Sequence, residues 1–269
     1  ANSYKNAQGK YFYPEQIEQR DGLPVVAETG EPVETLVEKM SKSKYNVVNP
    51  DEVVATYGAD AMRAYEMFMG PLDRDKVWSD EGIQGVHRFL KRVWHLYVDR
   101  DSGEIRHPES ATYTDPELEK LYHKTVKNVG EHIDSLKFNT ALALMMEFIN
   151  AAYKVESVPR EALDGFTLLL SPFCPHIAEE LWRRLGHAQS LAHEAWPSYD
   201  EALTIDDVVT LVVQVNGKLR ARLDVPRSAD KDELERLALG HERIKPYIEG
   251  KTVRKVIVVP EKLVNVVVS

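Results

Sequence analysis

Apolar residues recur at helical spacing through the middle of the chain. Between about residues 80 and 186 they return every three or four positions, as on an α-helix with one buried face. Residues 139–153 are apolar on most of their surface, which is typical of the central helix of a bundle. The stretch therefore predicts an antiparallel helical bundle. Its helices are expected over about 83–97, 118–136, 139–153, 163–170 and 177–185.

After about residue 203 the apolar positions alternate, as on a strand with one buried face. Asn216-Gly217 lies between two such runs and is a strong signal for a two-residue hairpin. A helical segment over 230–247 separates this hairpin from a second pair of strands. The order predicts a small α+β module. Its strands are expected over 209–215, 219–225, 253–259 and 263–268.

The amino-terminal part is less regular. Residues 1 to about 38 are punctuated by Gly and Pro, which predicts turns between brief strands. A helix is expected to begin near Pro50, with Asn49 as its N-cap, and to end at Gly58. A second short helix, capped by Asp60, follows it.

Composition and length narrow the class of protein. The 269 residues are 43% hydrophobic and 29% charged, as in globular chains of two or three domains. Cys174 is the one cysteine, which excludes an internal disulfide and a cysteine-based zinc site, so no metal site is predicted. No apolar run is long enough to cross a bilayer, and a cytoplasmic location is expected. Because the chain begins at Ala1 without an initiator methionine, we expect a fragment or a processed product.

The net charge of −9 argues at first against a nucleic-acid partner, since phosphate contacts need Lys and Arg. The acidic excess lies before residue 200, because residues 200–269 hold 12 cations and 12 acids. A local basic surface is therefore compatible with the total.

The candidate chemistry lies in a lysine-rich run, Lys39 to Lys44, just before the helix at Pro50. Ammonium groups, hydroxyls and a helix N-terminus all favour anions, which is typical of phosphate binding. When a carboxylate attacks the α-phosphorus of ATP, a positioned lysine stabilises the charge that develops. On its own the run is a weak signal, and a solvated loop is the alternative.

The run and its surroundings resemble the signature loop of class I aminoacyl-tRNA synthetases: residues 39–44 are Lys-Met-Ser-Lys-Ser-Lys, followed by Asn-Pro-Asp at 49–51 and Tyr-Gly-Ala-Asp-Ala-Met-Arg at 57–63. The resemblance implies that ATP, with Mg²⁺, is a substrate, and that Lys42 and Lys39 are catalytic. Lys42 would contact the ATP phosphates and Met40 would pack the loop down. The implied ATP-binding residues are Lys39, Met40, Ser41, Lys42 and Ser43.

Two further segments, 138–142 and 171–182, resemble the helical tRNA-binding bundle of the leucyl, isoleucyl, valyl and methionyl enzymes. Residues 213–220 and 253–267 are similar to the small C-terminal domain of bacterial leucyl-tRNA synthetases. The implied fold is multidomain and mainly α, with the end of a class I catalytic domain, an antiparallel helical bundle of the anticodon-binding type, and a small α+β C-terminal domain. The predicted domains are 1–35, part of an insertion before the lysine loop; 36–79, the end of the catalytic domain; 80–200, the bundle; and 201–269, the α+β domain.

Candidate tRNA-binding cations lie on the hairpin and on the first bundle helix. Along the second hairpin strand cations alternate with apolar residues, so three of them are expected to share one sheet face. An ordinary solvated surface is the alternative for each cation. The candidates are Lys218, Arg220 and Arg222 on the hairpin, Lys251, Arg254 and Lys255 near the last strands, and Arg88, Lys91 and Arg92 in the bundle.

The leading hypothesis is therefore part of a leucine-tRNA ligase, which activates leucine as leucyl-adenylate and transfers it to tRNA(Leu). No two histidines have the His-x-Gly-His spacing that accompanies the lysine loop in this family. We expect no aminoacylation by the chain alone, and a remaining N-terminal catalytic and editing portion in the same parent chain or a second subunit. The alternatives are a stand-alone tRNA-binding or assembly module without chemistry, and a fragment of an isoleucyl, valyl or methionyl enzyme.

Overall fold

In the computed structural model, which describes residues 1–106 and 112–269, the amino-terminal strands form two small antiparallel sheets. In one sheet the first strand of the chain lies between the second and the fifth, and the other sheet is a hairpin of the third and fourth strands. Phe12, Val26 and Val33 form the small core beneath them. The brief strands predicted for this region are therefore present. They are β1 (Asn2–Lys5), β2 (Tyr11–Phe12), β3 (Ile17–Arg20), β4 (Leu23–Val26) and β5 (Glu34–Val37).

Seven helices of the described chain follow, and the apolar face of each lies in one shared core. Within that core the Tyr97 hydroxyl donates to the Leu163 carbonyl oxygen (2.9 Å) and accepts from Thr167 Oγ1 (3.1 Å). Burial raises the pKa of Tyr97, so the phenol stays neutral. The helices are α1 (Pro50–Tyr57), α2 (Ala59–Phe68), α3 (Asp80–Tyr97), α4 (Pro116–Asp134), α5 (Phe138–Ala152), α6 (Arg160–Leu170) and α7 (Pro175–Arg184).

Asp60 does not cap its own helix, contrary to the prediction. Gly58, at φ +88°, occupies the N-cap position of α2, and Asp60 is buried in the first turn. Its carboxylate accepts from the backbone N–H of Ile177 (2.7 Å) and of His176 (3.3 Å), and the His176 Nδ1 lies 2.8 Å away. The carboxylate therefore satisfies free N–H groups at the start of α7, a helix distant in sequence.

Residues Ala1–Asp200 form one compact unit and residues Glu201–Ser269 form another. In the second unit two helices cover the buried face of a four-stranded sheet, in which the strands lie in the spatial order second, first, fourth, third. The hairpin turn is the predicted Asn216-Gly217, with both residues at positive φ. The elements are β6 (Val208–Val215), β7 (Lys218–Pro226), α8 (Lys231–Gly240), α9 (Lys245–Ile248), β8 (Val253–Val259) and β9 (Leu263–Val268).

The single helix predicted over 230–247 is wrong. The chain leaves the helix after Gly240, buries Ile244, and resumes as α9. The last residue of α8 is Gly240, and glycine disfavours a helix because it loses more conformational freedom than other residues. A proline in the first turn of α9 is compatible with a new helix.

The fold class predicted from the sequence is confirmed: the chain is rich in helix, with a helical bundle and a small sheet domain. Within the residues that the structure describes, no helix combines the length and the apolar character needed to span a bilayer. The finer division into four domains stays a prediction.

Packing between α4 and α6 requires a glycine at position 165. A Cβ built there lies 1.9 Å from the Tyr122 hydroxyl oxygen. We expect Gly165→Ala to lower the free energy of unfolding by about 1–3 kcal/mol, because the aromatic ring must move within a close-packed core. Urea denaturation followed by far-UV circular dichroism measures the change.

Gly85→Ala is the matched control, since the nearest atom to its added Cβ is a flexible Arg88 nitrogen at 3.9 Å. It should leave stability equal or raise it by about 0.5–1 kcal/mol, as alanine favours a helix over glycine. Equal stability of Gly165→Ala and the wild type would contradict the packing argument.

Candidate active-site loop and RNA-facing surfaces

The lysine loop connects β5 to α1. Residues Lys42–Lys44 form one 3₁₀ turn, which ends at Tyr45 in the left-handed conformation (φ +53°). The Ser41 and Ser43 hydroxyl oxygens lie 2.9 Å apart. The loop therefore contains an ordered turn a few residues before α1.

Asn46 ties the base of the loop together. It is 3% exposed, and its Oδ1 accepts from the Ser41 N–H (2.8 Å). Its Nδ2 lies 3.4 Å from both the Lys39 carbonyl oxygen and Ser3 Oγ. One buried side chain thus contacts two backbone positions of the loop and a residue of strand β1.

Glu38 and Lys44 form an ion pair beside this amide. The Lys44 Nζ lies 2.6 Å from Glu38 Oε1, and Ser3 Oγ donates to Glu38 Oε2 (2.7 Å). The hydrogen bond from Lys44 lowers the pKa of Glu38, and the same bond raises the pKa of Lys44. Lys44 is therefore held at the base of the loop.

The other two lysines of the run have exposed ammonium groups that can contact a ligand. Lys39 and Lys42 are exposed, and no ion pair to either is formed by the residues that the structure describes. Met40, which the family resemblance implied would pack the loop down, is 39% exposed. The implied packing by Met40 stays a prediction, and hydrogen bonds from Asn46 hold this loop.

A cleft of about 620 Å³ opens beside Lys42 and is also lined by Tyr13 and Tyr45, whose ring centroids are 4.2 Å apart. Glu15, Glu52 and Asp80 line the same cleft. Three carboxylates against one ammonium group disfavour a phosphate there. Within this cleft Lys42 is the only cation among the lining residues that the structure describes.

The three candidate cations of α3 differ in their surroundings. Arg92 donates to Asn150 Oδ1 (2.6 Å), and its guanidinium carbon lies 4.9 Å from the Tyr153 ring centroid. Lys91 lines a shallow pocket of about 370 Å³ with His87 and Trp94 among its walls. Arg88 is exposed on the same helix.

The prediction that Lys218, Arg220 and Arg222 share one sheet face is wrong. The register shifts in the β6–β7 pair: Ala221 pairs with Val213, but Leu219 pairs with Gln214, so Arg220 is an extra residue. A bulge of this kind reverses the alternation on either side of it. Arg220 instead lies over the ring of Tyr247 in α9, with the guanidinium carbon 4.1 Å from the centroid.

The sheet face away from the helices is mostly apolar and amide-bearing, and we call it the open face. Register places it opposite the buried Val213, Val264 and Val266. Leu219 is 54% exposed on it. The open face comprises Val208, Thr210, Val212, Gln214, Leu219, Arg222, Asp224, Pro226, Lys255, Ile257, Val259, Leu263, Asn265 and Val267, and it therefore carries one carboxylate, that of Asp224.

Only two of the six candidate cations of this unit lie on the open face. Arg222 is on β7 and Lys255 is on β8, at opposite edges of the sheet. Three strand spacings, about 14 Å, separate them across the sheet, and the register offsets them by a further four residues, about 13 Å, along the strands. Arg254 is the extra residue of a second register shift, and Lys251 precedes β8, both exposed.

The sequence reasoning did not find Asn46, Glu38 or Ser3. Nothing in the local pattern marks them, because their partners are up to 43 residues away along the chain. Among the described residues, no group of three or more His, Cys, Asp or Glu is arranged to hold a metal ion.

Comparison with known proteins adds family information to this geometry. Residues 33–79, which contain the lysine loop, match the family model described as tRNA synthetases class I (I, L, M and V). Residues 115–235 match the anticodon-binding domain of tRNA ligase, so this match runs past the unit boundary at residue 200.

Among solved structures, the chain is similar to a leucyl-tRNA synthetase from Agrobacterium radiobacter, in a ternary complex described as LeuRS-tRNA-LeuAMS. The TM-score is 0.66 at 30% sequence identity, and the match covers 86% of this chain. It covers 32% of the synthetase, so this chain spans about a third of that protein's length. On the family matches and this structural likeness, the chain belongs to the class I aminoacyl-tRNA synthetases, in the group of the isoleucyl, leucyl, methionyl and valyl enzymes.

Proposed function

We propose that this chain is part of a leucine-tRNA ligase, to which it contributes the lysine loop and surfaces that bind tRNA(Leu). The leucyl assignment is supported by the likeness to a leucyl-tRNA synthetase at 30% identity over 86% of the chain. Leucine, ATP and tRNA would then be its substrates, with Mg²⁺ bound to ATP. The remaining catalytic and editing portion would come from the same parent chain or from a second subunit.

The observation that supports a chemical role is that the three lysines of the loop differ in pairing and exposure. Lys44 is paired with Glu38, whereas Lys42 and Lys39 are exposed. In the first reaction a leucine carboxylate oxygen bonds to the α-phosphorus, and the bond from that phosphorus to the pyrophosphate oxygen breaks. Negative charge grows on the oxygens of the leaving pyrophosphate, and the ammonium group of Lys42 stabilises it.

The second reaction transfers leucine to tRNA. A terminal ribose hydroxyl of tRNA attacks the carbonyl carbon of leucyl-adenylate, and AMP leaves. This chain would hold the tRNA through the bundle and through the small sheet domain, whose cations would neutralise phosphates. On the second unit we assign the contact to the open face, where Arg222 and Lys255 can each neutralise a phosphate.

Lys42→Ala tests the chemical role in the protein at its native length, with any missing portion supplied. We expect the rate of leucine-dependent pyrophosphate exchange to fall about 10²- to 10³-fold, because the transition state no longer has one of its preorganised donors. The binding of tRNA should be nearly unchanged, since Lys42 is proposed to contact ATP while other surfaces of the chain contact tRNA.

Lys231→Ala, at an exposed lysine of α8, is the matched control and should leave exchange at the wild-type rate. Unchanged exchange in Lys42→Ala would favour the alternative of a tRNA-binding module without chemistry. Exchange that depends on isoleucine, valine or methionine instead of leucine would reassign the specificity.

The open face is tested by the double substitution Arg222→Ala and Lys255→Ala. We expect weaker binding of tRNA(Leu) and a slope of log K against log[salt] that falls by about 0.7–0.9 for each phosphate that the variant no longer neutralises. Filter binding over a range of salt concentrations measures both.

The control removes two cations from the helix-covered side, Lys231→Ala and Lys245→Ala, and so changes the net charge equally. If both double variants weaken binding to the same extent, the effect is one of total charge and the open face is not the contact.

A further inference from the structure

Three polar residues outside the lysine motif, Ser3, Glu38 and Asn46, hold the lysine loop in place, and we call them the polar cluster. Asn46 and Glu38 flank the run of lysines, and both contact Ser3 of strand β1. We infer that Asn46 and Glu38 are positioning residues, which fix the path of the loop so that Lys42 is presented to ATP while Lys44 is held back. This inference rests on the proposed ligase function.

The burial of the Asn46 side chain constrains the conformation of the lysine loop. An amide that is 3% exposed must make its hydrogen bonds within the protein, because an unsatisfied buried polar group costs about 1–3 kcal/mol. The partners are Lys39 O, Ser41 N–H and Ser3 Oγ. Two of the three are backbone groups of the lysine loop itself, so the loop conformation and the amide determine each other.

These two backbone groups flank Met40. Fixing the carbonyl of residue 39 and the N–H of residue 41 sets the orientation of the peptides on either side of Met40, and hence the direction in which the chain enters the turn at Lys42. Met40 itself is 39% exposed. The position of Lys42 therefore depends on the Asn46 amide.

Glu38 separates the roles of two nearby lysines. Lys44 lies two residues after Lys42, and its ammonium group is 2.6 Å from Glu38. Without this partner, a second cation would be free near Lys42, where it would repel the Lys42 ammonium and compete for the same phosphate oxygens. The ion pair leaves Lys42 and Lys39 as the exposed cations of the run.

Ser3 connects the polar cluster to the amino-terminal sheet. It is 1% exposed on β1, opposite Leu36 in β5, and it contacts both Glu38 and Asn46. The segment predicted as an insertion before the loop thus supplies part of the surface on which the loop rests. A change in that sheet would be transmitted to Lys42 through Ser3.

The test is a double-mutant cycle between Asn46→Ala and Lys42→Ala in the protein at its native length, with any missing portion supplied. Asn46→Ala should lower the kcat of leucine-dependent pyrophosphate exchange by about 10²-fold, the effect typical of a misplaced catalytic group. The KM for leucine should not change. The double variant should be no slower than Lys42→Ala alone, because Asn46 acts through Lys42.

Hydrogen exchange supplies a readout that does not depend on activity. The Ser41 amide should exchange faster in Asn46→Ala, since it no longer has its acceptor, while amides in the core of α5 keep their protection. Asn6→Ala is the matched control, because Asn6 is also a buried asparagine of the amino-terminal sheets but bonds to Glu31 and Lys10. It should retain both the exchange kcat and the Ser41 protection.

Glu38→Gln is a second variant that keeps the side-chain shape and the Ser3 contact while removing the charge. It should lower kcat less than Asn46→Ala and leave the KM for leucine unchanged. A wild-type kcat in Asn46→Ala, or additive effects in the double variant, would overturn the inference while the Lys42→Ala result still stood. A wild-type rate in Lys42→Ala alone would instead contradict the proposed function.

Discussion

The arrangement of the first unit depends on two charged side chains of α2 that bind the turn between α6 and α7. Asp60 accepts from the N–H groups that begin α7, and three positions later Arg63 donates to the carbonyl oxygens of Pro172 (3.0 Å) and Phe173 (3.3 Å). The Asp60 carboxylate binds backbone N–H groups and the Arg63 guanidinium binds backbone carbonyl groups, so both kinds of backbone group in this turn are hydrogen-bonded. The segment that follows the lysine loop is thereby fixed to the helical bundle.

This joint gives a physical reason for two sequence motifs that are distant along the chain. Gly58-Ala59-Asp60-Ala61-Met62-Arg63 and Ser171-Pro172-Phe173-Cys174-Pro175-His176 belong to separate family resemblances, and the structure brings them into contact. The Cys174 thiol is buried beside the Asp60 carbonyl oxygen, and burial raises the pKa of the thiol. Its role is therefore that of a small packed side chain.

The helices and the hairpin were predictable because their signals are local. A period of three or four residues set the bundle, and Asn216-Gly217 set the turn. The failures have a different cause. Asp60 was assigned to its own helix because a cap at α7, more than a hundred residues away, leaves no local pattern, and Asn46 escaped notice for the same reason. The bulge at Arg220 leaves the alternation intact in sequence and breaks it only in the register.

That bulge changes the physical picture of how an acidic chain would bind RNA. A continuous strip of three cations would attract phosphates through charge alone, against a net charge of −9. The bulge instead sends Arg220 to the Tyr247 ring and leaves an apolar surface, with Leu219 at 54% exposure, between two cations at the sheet edges. A surface of this kind gains affinity from apolar contacts, which salt screens little. If the second unit binds tRNA as proposed, the balance between those contacts and the edge cations, more than the total of basic residues, decides how strongly it binds.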